Sequence, residues 1–247
     1  MILTDGACMV MIGLAPVAAG EWMKARLKVT ETIENYLESI YNMRDEGKKV
    51  IAARLAERLG VKPPTVSQTL QRMIRDGLIK IDGAEIKLTK IGEEVAEAGI
   101  RRHRLVERFM TDFLGIPWAA AHSEAERIQH AMSELVEQKM FEALGSPKTC
   151  PHGNPIPGMQ PTRLPPDALT LDNATARQSV TVLRITEEGE RDLRLLDYLQ
   201  KSNLIPGTEV MVEEVAPWSG VVTLDVSGKK ISLGLRAART IWVQPVV

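Results

Sequence analysis

The chain has 247 residues, with 31 Lys and Arg against 32 Asp and Glu, so its formal net charge is −1. Apolar residues make up 44% and charged residues 26%, which fits a soluble globular protein of one or two domains with room for a small third and excludes wholesale disorder. The balanced charge excludes a surface that coats nucleic acid or anionic membrane as a whole, and two Cys, Cys8 and Cys150, exclude a disulfide framework or a Cys-rich zinc site. A reducing, cytoplasmic setting is expected.

Residues 7–20 form an apolar run that is too short, and too rich in Gly and Pro, to span a bilayer. It lacks the basic segment that opens a signal peptide. Residues 1–28 are expected to be a poorly ordered extension, with Met23 a possible start. No other segment is apolar enough for a membrane helix.

From Thr30 the pattern is helical, with Ile33, Leu37, Ile40 and Tyr41 on one stripe. A second helix is predicted over 50–59, closed by Gly60. A third is predicted over 64–76, opened by Pro63 and Pro64, with Val66, Leu70, Met73 and Ile74 facing inward. Two short strands around Asp82-Gly83 follow as a hairpin. Three helices and a hairpin in this order read as a winged helix-turn-helix over 29–92.

Helices are predicted at about 90–114, 120–131 and 134–144, making a helical domain over 93–146. Seven of the 14 Pro then fall in 147–166, so 147–178 reads as a Pro-rich linker or ordered irregular loop. From Ser179 onward, five short β runs and one helical stretch near 189–201 read as a small five-stranded barrel over 179–247. The predicted fold class is mainly α with a small β part.

Residues 47–91 hold ten basic side chains and four acidic ones, so a local excess of six positive charges sits in a chain of net −1. The third helix adds a polar face. Arg54, Lys62, Thr65, Ser67, Arg72 and Arg75 suit phosphate contacts, Gln68 suits an adenine edge and Pro64 a thymine methyl. Charge, helix order and hairpin together point to double-stranded DNA rather than to an ordinary solvated helix.

His103 and Glu107 are four residues apart, and His122, Glu126 and His130 follow at successive four-residue steps, with Gln129 one step aside. Any one such pair is more often a surface ion pair. Together they present His and carboxylate from neighbouring helices, the way bundles build metal sites, and suit Mn²⁺, Fe²⁺, Co²⁺ or Zn²⁺. No Cys is in reach to favour a softer metal, and His152 reads as structural. The chain has no H-E-x-x-H and no second Glu-x-x-His, so a zincin or a di-metal enzyme is disfavoured. A third reading makes the barrel an interaction module that binds a Pro-rich segment, including residues 151–166.

From about Val29 onward the chain resembles the diphtheria toxin repressor family of iron- and manganese-dependent regulators. The resemblance rests on PPTVSQTLQRMIRDGLI at 63–79, RRHRLVERFMTDFLG at 101–115, EAERIQHAMSELVE at 124–137 and CPHGNPIPG at 150–158. It implies a winged-helix DNA-binding domain, a helical metal-binding and dimerisation domain over 93–146 and an SH3-like barrel over 179–247, in a homodimeric, Mn²⁺- or Fe²⁺-activated repressor of metal-homeostasis genes that binds a palindromic operator. His103, Glu107 and His122 match the family's ancillary metal site, which also takes an acidic residue and a Gln from the barrel. Ungapped alignment puts Asp192 and Leu195 at those two positions. Glu126 and His130 match the primary site, with Asn35 and Gln129 standing where Met or Asp, and Glu, are usual. Glu38 lies one turn beyond Asn35 at a ligand position of the manganese branch. The resemblance leaves two options: a centre on Glu38, His103, Glu107, His122, Glu126 and His130, or a response through the ancillary site alone.

Overall fold

The computed structural model describes residues 29–159 and 164–246; the expectations about 1–28 lie outside these. The first domain is α1 (Glu31–Asp45), α2 (Ala52–Leu59), α3 (Pro63–Arg75), β1 (Ile79–Asp82) and β2 (Glu85–Leu88). The stripe of α1 (Ile33, Tyr36, Leu37, Ile40) is buried against Leu55, Val66, Leu70, Met73, Leu78 and Ile86, so the 3.6-residue period translates directly into a core. Gly60 ends α2 at φ +65, and Pro63 and Pro64 start α3 where a missing N–H costs nothing. β1 and β2 pair from Ile79↔Leu88 to Asp82↔Glu85, leaving a two-residue turn. Ile74, expected inward, is 36% exposed: it sits at the edge of the α3 stripe, beyond the buried Val66, Leu70 and Met73.

Helix α4 (Lys90–Asp112) starts on the hairpin, where Thr89 caps it by accepting from Gly92 N. It runs for 23 residues, about 35 Å at helical rise, into the second domain. There it packs on α5 (Trp118–Ile128), a 3₁₀ turn (Gln129–Ala131) and α6 (Glu134–Ala143). One helix thus joins the winged helix to the helical body.

The C-terminal domain contains β3 (Leu169–Thr170), β4 (Gln178–Ile185), α7 (Glu187–Glu190), α8 (Leu193–Lys201), β5 (Glu209–Ala216), β6 (Val221–Val226), β7 (Lys229–Gly234), α9 (Leu235–Ala238) and β8 (Ile241–Pro245). The sheet is antiparallel in the order β3-β8-β4-β5-β6-β7. The five predicted runs are present, joined by the two-residue β3. Trp118 from α5 enters the core of this domain beside Leu171, Ile185 and Leu196, so the sheet domain is seated on the helical body.

The Pro-rich stretch differs from a free linker. Residues 147–159 close on themselves through a Thr149↔Pro155 bridge and Cys150 N–H donating to Asn154 O. Ile185 N–H, at the end of β4, donates to His152 O. Gly153 takes φ +87, and a Cβ there would come within 2.3 Å of Leu183 O, so glycine is what lets the loop lie against β4. Cys150, His152, Asn154 and Ile156 are buried. Local backbone bonds and close contact replace the missing Pro N–H donors. Among the described residues, no helix is long and apolar enough to cross a membrane.

Candidate metal centre

Helical spacing puts His103 and Glu107 one turn apart on α4, and His122 faces them from α5. All three are buried, and Glu107 is 0% exposed. Glu107 Oε1 lies 3.0 Å from His103 Nε2 and 2.7 Å from His122 Nδ1; the two ring nitrogens are 3.2 Å apart. Three ligand atoms thus converge on one point, as a first-row dication requires.

The other oxygen of Glu107 faces a second set. His152 Nδ1 is 3.6 Å from Glu107 Oε2 and 3.1 Å from Glu190 Oε1. Cys150 Sγ is 3.9 Å from each of His152 Nδ1 and Glu190 Oε1. Sequence reasoning set His152 aside as structural and placed no Cys in reach. The structure places both beside Glu107, because the packed Pro-rich loop carries Cys150 and His152 to α4. The signal available was the pair itself, one of four His and one of two Cys only two residues apart in C-P-H-G. Asp192, expected as the barrel's acidic ligand, is exposed and caps α8, accepting from Arg194 N and Leu195 N. The barrel carboxylate at the cluster is Glu190, two residues earlier, 1% exposed. Leu195 packs on the barrel core.

Electrostatics match the geometry. Burial alone would raise the Glu107 carboxyl, but the imidazoles of His103 and His152 outweigh it and hold it well below the usual carboxylate range. Burial would lower His103; the charge and hydrogen bond of Glu107 override it and raise it to about 10. His122 is raised against burial by Glu107, and His152 is raised strongly by Glu190 and Glu107. Burial, with Glu190 and Glu107 nearby, pushes the Cys150 thiol up to about 11. Protons on these rings neutralise the carboxylates, which is the work a bound cation would take over. Two buried atoms of the cluster, Glu107 Oε2 and His152 Nε2, have no hydrogen-bond partner. The donor set and these orphaned atoms fit a divalent transition metal.

The residues expected at the primary site gather less completely. Asn35, Glu38, His103, His122, Glu126 and Gln129 line one cavity of about 300 Å³. Glu38 reaches it because Gly99 leaves room on α4; a Cβ at Gly99 would stand 2.0 Å from Glu38 Oε1. Loss of solvent raises the Glu38 carboxyl to about 7. Glu126 is mostly exposed, and its Oε1 is 3.8 Å from His122 Nε2. Asn35 is exposed. His130 Nδ1 bonds Glu34 at 2.6 Å instead, a residue sequence reasoning did not select. Arg104, beside His103 on α4, bonds Glu187 of the barrel at 2.6 Å. It therefore fixes the barrel to the same helix.

The candidate DNA residues lie together on the first domain. Arg54, Lys62, Pro64, Thr65, Ser67, Gln68, Arg72 and Arg75 are all exposed. Ser67 Oγ and Thr69 Oγ1 donate back to Pro63 O and Thr65 O, so their oxygens remain as acceptors on the α3 surface.

Comparison with known proteins agrees with this architecture. Residues 28–84 match the iron dependent repressor N-terminal DNA binding domain, residues 89–158 its metal binding and dimerisation domain, and residues 169–245 the FeoA domain. The iron-dependent repressor IdeR of Mycobacterium tuberculosis is 37% identical, with 89% of this chain and 99% of that protein aligned. The diphtheria toxin repressor of Corynebacterium diphtheriae is 34% identical over 87% of this chain and 98% of that protein. A manganese-dependent transcriptional repressor solved with manganese superposes with TM-score 0.77 at 31% identity, covering 87% of this chain and all of that one. The chain belongs to the iron-dependent repressor family of metal-dependent transcriptional repressors.

Proposed function

We propose that this protein is a homodimeric, metal-activated repressor of metal-homeostasis genes that binds a palindromic operator in the cytoplasm and responds to Mn²⁺ or Fe²⁺. The observation that carries the reading is one buried cluster around Glu107 to which four elements contribute: α4, α5, the Pro-rich loop and, through the Glu190–His152 contact, the barrel. His103, Glu107 and His122 would hold the ion, with Cys150, His152 and Glu190 on the far side of Glu107. The ion would supply positive charge where protons otherwise sit. His103 and Glu107 then tie α4 to the body, and α4 continues into the hairpin of the winged helix. Fixing α4 fixes the spacing of two α3 helices across a dimer, and DNA must strengthen metal binding as much as metal strengthens DNA binding. Phe113, Leu114, Leu135 and Val136 of the helical body are all about half exposed or more, which suits a surface covered by a second copy.

The test is a band-shift titration of operator DNA with Mn²⁺, Fe²⁺, Co²⁺ and Zn²⁺ against a chelated control. Affinity should rise with at least one metal; equal affinity with and without every metal would overturn the reading.

A further inference from the structure

Gln129 stands at a position where a ligand is expected, yet every polar group it carries is already engaged. Its Oε1 is 2.6 Å from His103 Nδ1. Its Nε2 is 3.3 Å from Glu38 Oε2 and 3.4 Å from His130 Nε2. Its backbone carbonyl accepts from the buried Arg102 Nε at 3.0 Å. The side chain is 97% hidden, since the residue is 3% exposed.

The chemistry of these partners fixes the protons. Ionised, the Glu38 carboxylate only accepts, so the amide NH₂ faces it and the amide oxygen faces His103, as the contacts above have it. His103 Nδ1 therefore carries a hydrogen and donates it to Gln129. His130 Nδ1–H donates to Glu34, and its Nε2, when unprotonated, accepts the other amide proton. The outcome for His103 is decisive: with Nδ1 committed to Gln129, Nε2 is the nitrogen turned to Glu107 and His122.

We propose that Gln129 is a positioning residue and not a ligand: its amide orients His103 Nε2 into the Glu107 centre and keeps a second cation out of the Glu38 cavity. The second half follows from charge. An amide satisfies Glu38 with a hydrogen bond. A carboxylate in its place would stand about 3.3 Å from Glu38, a pair that either shares one proton or is bridged by a dication that displaces it. The inference rests on the metal reading above for its first half, and its tests separate the two.

Three measurements judge it. Long-range ¹H–¹⁵N spectra of the histidines should show a proton on His103 Nδ1 in metal-free and Zn²⁺-loaded protein alike; an unprotonated Nδ1 overturns the proposal. Gln129→Met keeps the size and removes the hydrogen bonds. It should weaken Mn²⁺ binding about 10- to 100-fold, the range for partners that orient a ligand; unchanged affinity overturns the proposal. Gln129→Glu should bind one more Mn²⁺ per chain than the wild type by equilibrium dialysis, with a larger Mn²⁺-induced rise in melting temperature. The same number of ions in both proteins overturns it, because a residue that were already a ligand would only change affinity. Circular dichroism of both variants checks that they fold. If the wild type binds no Mn²⁺, the metal reading fails, while the His103 proton and the ion gained by Gln129→Glu still decide the role of Gln129.

Discussion

Two carboxylates on neighbouring helices, Glu107 and Glu38, have opposite fates. Glu107 is enclosed by His103, His122 and His152 and is held ionised. Glu38 borders an open cavity, faces an amide, and is raised to about 7 by loss of solvent. Both are presented to α4, one from α4 itself and one through the gap at Gly99. The difference lies in the company each keeps. Imidazoles convert a buried carboxylate into a charged anchor, whereas a neutral amide leaves it near its titration point. A cation is better accommodated where the anchor is already charged, so the Glu107 centre, not the Glu38 cavity, is where metal binding should concentrate.

The largest effect that could break this contrast is removal of the Glu107 charge. Glu107→Gln should weaken Mn²⁺ binding by more than about 100-fold, beyond the 10- to 100-fold typical of outer-shell partners, as read by equilibrium dialysis. Retained affinity would shift the centre to the Glu38 cavity.

Next in size is pH. His103, near 10, and the raised His122 and His152 hold protons in the metal-free centre at neutral pH. Binding must expel them. Apparent affinity should therefore fall as pH falls, by about tenfold per pH unit for each proton displaced. Isothermal titration in two buffers of different ionisation heat counts those protons. An affinity that does not change between pH 8 and pH 6 would contradict the assignment.

The smallest effects separate the two barrel carboxylates. Glu190→Ala should weaken metal binding and leave His152 and Asn154 without their shared partner. Asp192→Ala should cost only a helix cap, about 0.5–2 kcal/mol of stability, and leave metal affinity unchanged. Thermal melts with and without Mn²⁺ distinguish the two.

Much of this was legible in the sequence where periodicity governs. The α1 stripe, the Pro-started α3, the hairpin and the His103–Glu107 pair follow from local spacing, whereas His122 joins that pair from another helix, as the family resemblance implies. What spacing does not encode is a contact across a loop. Cys150 and His152 reach Glu107 across more than 40 residues, through a loop whose order comes from Gly153 and its own backbone bonds. Ungapped alignment points to Asp192, but the chain turns at Asp192 to begin α8. A capping residue faces its own helix end, so the register passed to Glu190. Gln129 has the spacing of a ligand; only the positions of Glu38, His103 and His130 around it show its amide to be spoken for.

The most direct test of the central claim compares two variants in one assay, the metal-dependent rise in DNA affinity. Glu107→Gln should lose that rise. Glu126→Ala, whose side chain is 62% exposed, should keep it within about twofold, as surface substitutions do. Loss of the metal response in Glu126→Ala with retention in Glu107→Gln would contradict the account.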